Sequence, residues 1–133
     1  MASAMPAVTV SKGRLWTSYV ISALPVLLMG MSAVMKLLKP QPVVEGFARF
    51  GYPESLLVIL GVVELSCALL YVIPKTSILG AIFVTGYLGG ATATHARVLD
   101  WHFVSPFLCG VLAWLGLYLR DGRIRALIPL KND

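Results

Sequence analysis

Apolar residues fall into four long runs separated by short polar breaks. The first, Leu15 to Leu38, holds no charge before Lys36, and the second, Leu56 to Ile73, holds one, Glu64, near its centre. The third runs from Ser77 to His95 and the fourth from Phe103 to Leu119. As helices each would reach about 26 Å or more, enough for a thin bilayer or a slight tilt. Buried soluble helices would show a polar face recurring at every turn, and these runs have none. The pattern predicts an all-α chain, an antiparallel four-helix bundle integral to a membrane. It forms one domain over residues 1–133, with spans at about 15–38, 56–73, 77–95 and 103–119.

The connections add detail. Pro74, Lys75 and Thr76 join the second and third runs as a tight hairpin, with Pro74 ending one helix and Thr76 or Ser77 capping the next. Only Ala96 to His102 separate the third and fourth. In the one long connection, Lys39 to Ser55, the residues Val43, Val44, Phe47 and Phe50 keep helical spacing between Pro42 and Gly51. That suits a short helix lying on the membrane surface and ended by Gly51-Tyr52-Pro53.

Composition points the same way. The 133 residues are 58% hydrophobic and 13% charged, with a mean hydropathy of +0.83, whereas soluble domains carry about 25% charged residues. The 12 glycines have no period and there are only two cysteines, which excludes collagen-like and disulfide-scaffold classes. The net charge of +5 is unevenly placed. Lys12, Arg14, Lys75, Arg120, Arg123, Arg125 and Lys131 lie on the side of the termini, and Lys36, Lys39, Arg49 and Arg97 on the other. Seven against four places both termini in the cytoplasm. The first run is too long for the apolar region of a signal peptide and reads as an uncleaved helix.

Glu64 is the residue most in need of a reason. An ionised carboxylate costs several kcal/mol at mid-bilayer, so it should face the bundle and meet a polar side chain of the first or third helix. Its helical neighbours Leu57, Gly61, Cys67, Ala68 and Tyr71 make a largely small face suited to close packing. The first helix carries a stripe of Ser18, Ser22, Pro25, Met29, Ser32 and Lys36. The third carries Thr85, Leu88, Thr92 and His95, with Gly86 and Gly90 as a GxxxG motif for helix contact. Together they suggest a polar pocket opening outward. Glu64 forms its floor, Lys36, His95 and Tyr87 stand above it, and Ser32 and Thr92 lie on its walls. The plainer reading is that Glu64 only fixes helix packing and that the serines and threonines bond their own backbone.

Other chemistry has little support. Two histidines, one intramembrane carboxylate and two cysteines lack metal-ligand spacing, so no metal site is expected. Cys67 and Cys109 differ in depth by about 10 Å on the helix ruler and form no CxxC. Neither a phosphate-cradling glycine loop nor a nucleophile motif is present. The basic tail of Arg120, Arg123 and Arg125 directly follows a span, which suits anionic lipid headgroups and argues against nucleic acid.

An ordered set of short motifs resembles the DoxX-like family of small bacterial membrane proteins. It comprises Lys36-Leu37, Phe50-Gly51-Tyr52-Pro53, Gly61-x-x-Glu64, Ile73-Pro74-Lys75-Thr76 and Leu79-Gly80-Ala81. It continues through Gly86-Tyr87-Leu88-Gly89-Gly90-Ala91 and Thr94-His95-x-Arg97, covering roughly Gly30 to Arg97. The resemblance implies a four-helix bundle in the bacterial inner membrane. Named relatives include subunits of thiosulfate:quinone oxidoreductases and membrane partners of thiol-redox or detoxifying enzymes. More distant animal relatives act as assembly chaperones for receptor channels. This chain has no paired cysteines and no evident cofactor motif, so an electron-carrying role would need a quinone in the pocket or a partner subunit. Three functions follow as expectations. One is a pocket for a small apolar ligand, quinone or isoprenoid-like, within a redox complex or homo-oligomer. The second is a non-enzymatic assembly factor, and the third an isomerase- or cyclase-type membrane enzyme using Glu64 for catalytic proton transfer.

Overall fold

The computed structural model describes residues 10–128, so Lys131 lies outside the described residues. Ser11 caps α1 (Lys12–Leu38) by accepting the Arg14 N–H, and Lys39 closes it in a left-handed turn, its N–H on the Met35 carbonyl. α2 (Gln41–Arg49) starts with Pro42 in its first turn, where no N–H partner is needed, and Gly51 at φ 84 turns the chain after it. α3 (Ser55–Val72) and α4 (Ser77–Arg97) form the expected hairpin. One turn of 3₁₀ helix, Trp101–Phe103, leads into α5 (Val104–Arg120), and a short α6 (Gly122–Leu127) follows.

α1, α3, α4 and the stretch Trp101–Arg120 are each long and apolar enough to cross a membrane. The protein is therefore a multi-pass, four-helix membrane bundle, and its long helices end within three residues of the four apolar runs. Each span packs on the next, and α1 closes the ring against α5. Leu57, Gly61, Glu64, Cys67, Ala68 and Tyr71 of α3 are all buried, the face expected from spacing. Ser18, Ser22, Pro25, Met29 and Lys36 of α1 are buried with Ala33. Leu27, Met31, Ile59, Val62 and Ile82 point outward, where acyl chains would cover them.

Lipid tails are as apolar as leucine, so close backbone approach rather than water exclusion holds such helices together. Gly80 supplies the tightest approach to another helix's backbone, since a Cβ there would lie 2.2 Å from the Tyr71 nitrogen. A Cβ at Gly116 would meet the Ser22 hydroxyl at 1.9 Å, and one at Gly61 would meet Leu37 at 3.1 Å. The expected GxxxG contact does not form. Gly86 and Gly90 have nothing within 4 Å of a built Cβ, because their side of α4 faces open space.

Two further expectations are corrected at the helix ends. Thr76 does not cap α4 through its side chain; its hydroxyl donates to the Leu70 carbonyl at 2.7 Å, tying the hairpin back to α3. Ser77 donates to the Pro74 carbonyl instead. The basic tail is also less free than expected. Arg120 donates to Ser22 at 2.6 Å, and Arg125 donates to the carbonyls of Tyr118 and Leu119, both at 2.9 Å. Arg123 stays exposed but pairs with Asp121 at 2.9 Å, holding that carboxyl below the usual carboxylate range.

The glycine contacts make a sharp prediction. Gly80→Ala should lower stability by about 1–3 kcal/mol, since the Tyr71 backbone cannot yield as a side chain could. Gly86→Ala should leave it unchanged. Thermal unfolding of both variants in the same detergent checks the contrast.

Candidate functional site

A cavity of about 660 Å³ opens between the spans at the end remote from the chain termini. Lys36 and Glu64 form its charged centre. The Lys36 ammonium lies 2.6 Å from Glu64 Oε2 and donates to Ser32 Oγ at 2.5 Å. The spacing of Ser32 and Lys36, four residues on one helix, puts both on the same face of α1. Both charges are withdrawn from the surface, Lys36 being 7% exposed and Glu64 3%. Each ion costs several kcal/mol to bury, so a close, hydrogen-bonded partner is a physical requirement for both. The rings of Phe47 and Tyr87 stand 5.6 and 6.0 Å from the ammonium, near enough for their π faces to attract it.

α2 lies across the cavity. Val43, Gly46, Phe47 and Phe50, spaced at i, i+3, i+4 and i+7, line the space with one side of the helix. The apolar face expected to rest on the membrane surface therefore turns to the pocket. Its C-terminal end is fastened to α4 at three points. Arg97 donates to the Phe50 carbonyl, Tyr52 and Thr94 share a hydroxyl–hydroxyl bond of 2.8 Å, and the Phe50 and His95 rings meet edge-on at 4.8 Å.

A second polar cluster stands at the same end. Leu99, in the left-handed region at φ 57, turns the chain so that Asp100 comes back to α4. Asp100 binds His95 Nδ1 at 2.9 Å through one oxygen and His102 Nδ1 at 2.5 Å through the other. The His102 backbone N–H, donating at 3.1 Å, is the foremost reason its carboxyl is held far below the usual carboxylate range; the two imidazoles add to it. Among the described residues, no three His, Cys, Asp or Glu side chains come together as metal ligands.

The structure brings Glu64, Lys36, Ser32, Tyr87 and His95 to one cavity, and Thr92 is not there. Its hydroxyl donates to the Leu88 carbonyl, and Thr94 lines the space in its place. Thr85 likewise turns aside, accepting from the Trp114 indole at 2.6 Å. Of the expected α4 stripe Leu88 and His95 do line the cavity, together with Tyr87, Ala91 and Thr94. Lys36 is not above Glu64 near a rim but beside it in the interior. The α1 stripe also divides. Ser22 belongs to a separate cluster at the terminal end, bonded to Tyr71 at 2.8 Å and to Arg120, while Tyr71 donates to the Ala113 carbonyl at 2.6 Å. Ser18 bonds its own helix, to the Leu15 carbonyl.

Sequence reasoning passed over Asp100, Tyr52 and Thr94 as site residues. An acidic residue five positions after one histidine and two before another was the available signal for Asp100. Cys67 and Cys109 are both buried and free, and Cys109 lines the cavity.

Neither curated proteins nor solved structures give a match to the chain. A family model does, over residues 20–116, a stretch from α1 into α5 that contains every residue named around the cavity. With that match and its four spans, the chain belongs to the DoxX-like family.

Proposed function

We propose that this membrane protein binds a small apolar molecule with a polar head, a quinone or isoprenoid-like compound, beneath α2. The observation that carries this reading is the buried Lys36–Glu64 pair on the wall of a cavity of about 660 Å³. A pair that only held helices together would be enclosed by packed side chains. Here it borders space within the ordinary range for small-molecule sites, roughly 300–1,000 Å³. The residues fit a quinone-like head. Lys36 donates to a carbonyl oxygen, the rings of Phe47 and Tyr87 flank a flat ring system, and His95 keeps Nε2 for the ligand because Asp100 engages Nδ1. A bound quinone would supply two-electron redox chemistry to a partner subunit; this chain's residues orient its head.

The family supports a location in the bacterial inner membrane, and the basic residues support both termini in the cytoplasm, so that the α2 end faces outward. The enzyme reading uses the same pair, with Glu64 and Lys36 as acid and base for isomerisation or cyclisation. In the assembly-factor reading the pair is structural alone.

Binding of a short-tailed benzoquinone to purified protein in lipid nanodiscs separates these. Glu64→Gln or Lys36→Met alone leaves one charge unpaired and should cost about 3–5 kcal/mol of stability. The double variant removes both charges and should regain the stability while binding the quinone at least about tenfold more weakly. Wild-type affinity in the double variant would remove the pocket reading and leave assembly. Lys36→Ala should be as damaging as Glu64→Gln, and His95→Ala less so.

Two further measurements follow from the same arrangement. A cysteine engineered at Ser11 should resist membrane-impermeant maleimide on intact cells; labelling from outside reverses the orientation. Asp100, with its carboxyl lowered in the folded state, stabilises its turn above its unfolded pKa of about 4 and ceases to do so as pH falls through its folded value. Wild type and Asp100→Asn should thus melt at different temperatures near pH 6 and converge toward about pH 2.

A further inference from the structure

The cavity accounts for the head of a ligand, and a second feature bears on its tail. On the lipid-facing side, a groove of about 500 Å³ runs between α1 and α5, walled by Leu24 and Leu28 on one side and Val104, Leu108 and Leu112 on the other. Leu28, His102, Ser105 and Cys109 line both the groove and the cavity, so the two spaces adjoin at this neck of residues. The α1–α3 seam near this level is tighter, with Leu37 and the Ala33 carbonyl crowding Gly61. The α1–α5 seam is closed lower down, where Gly116 lies on Ser22.

The depth of the groove suits an apolar chain. Leu28 and Leu24 precede Lys36 on α1 by roughly 12 and 18 Å of helix rise. The α1 wall of the groove therefore lies at the middle of the span, among the acyl chains. Leu24, Leu28 and Leu108 are each about half exposed. Lining a tail with leucine gains little over leaving it in lipid, because both surroundings are equally apolar. What the groove supplies is room. A cavity of this size holds a drug-sized molecule, and a tail of several isoprene units has to leave it somewhere.

Resting on the pocket reading above, we infer that the site takes a long-chain ligand, prenyl- or acyl-tailed, that arrives sideways from the bilayer. The head seats at Lys36 and Glu64, and the tail passes the neck and lies between Leu24 and Leu28 on α1 and Leu108 and Leu112 on α5. The α2 face then serves as a roof over the head rather than as the way in.

The test uses two benzoquinones with the same ring, one carrying several isoprene units and one carrying a methyl group, and the full chain in phosphatidylcholine nanodiscs. Leu24→Trp and Leu108→Trp fill the groove at positions that do not line the cavity and already face lipid. Each should weaken the tailed quinone on the order of tenfold and leave the short one unchanged. Unchanged binding of both quinones in the filled variants overturns the groove assignment alone. If neither quinone binds wild type, or if binding ignores Lys36→Met/Glu64→Gln, the pocket reading fails and the inference with it. A tail-borne diazirine checks the unaltered protein. Label should appear within residues 24–28 and 104–112, and label confined to α2 or to the outer faces of α3 and α4 overturns the assignment.

Discussion

A carboxylate and an ammonium each cost several kcal/mol to bury, and the pairing that offsets this cost organises the upper half of the bundle. Lys36 reaches Glu64 only because α1 and α3 lie close together, and they lie close because Gly61 admits Leu37 and the Ala33 carbonyl. Ser32 takes a further ammonium hydrogen, and the rings of α2 and α4 cover the charge from other sides. One interaction thus ties two spans together and gives the cavity a charged wall.

The two ends of the bundle are built on different principles. At the terminal end, backbone meets backbone or small side chains at Gly80 and Gly116, and the Ser22, Tyr71 and Arg120 side chains bond one another with no space between. At the other end the spans part, glycines of α4 face a void, and closure depends on α2 and the Asp100 turn. The first end is held by close packing, and the second, held by the buried ion pair, encloses the cavity.

How much of this was legible from residues alone depended on contrast. A lone charge in an apolar run, such as Glu64, can face only inward, so its face of α3 was readable together with its small neighbours. α4 offers no such contrast. Threonines and glycines occur around its circumference, each hydroxyl can satisfy itself on its own backbone, and the choice of Thr94 over Thr92 depends on packing with α3 and α5. The position of Lys36 was ambiguous for a related reason, since a long flexible side chain near a helix end can reach outward or inward. An amphipathic α2 is equally content on a bilayer or over a cavity, so its spacing predicted the helix and not its seat. Asp100 joins His95 only through the left-handed turn at Leu99, a conformation that residue type does not announce.

The positions of the two charges also bear on how the chain enters its membrane. Synthesis runs from the N-terminus, so Lys36 is delivered 28 residues ahead of Glu64. Lys36 sits in the last turn of α1, where its stem lets the ammonium remain among headgroups while it has no counter-charge. Glu64, in the middle of α3, has no such refuge. The order of the sequence places the partner that can wait first, so the carboxylate meets a neutralising charge as its own segment leaves the insertion machinery. Exchanging the two residues would preserve the final pair but leave the shorter carboxylate stem waiting at the end of α1, less able than lysine to reach the headgroups.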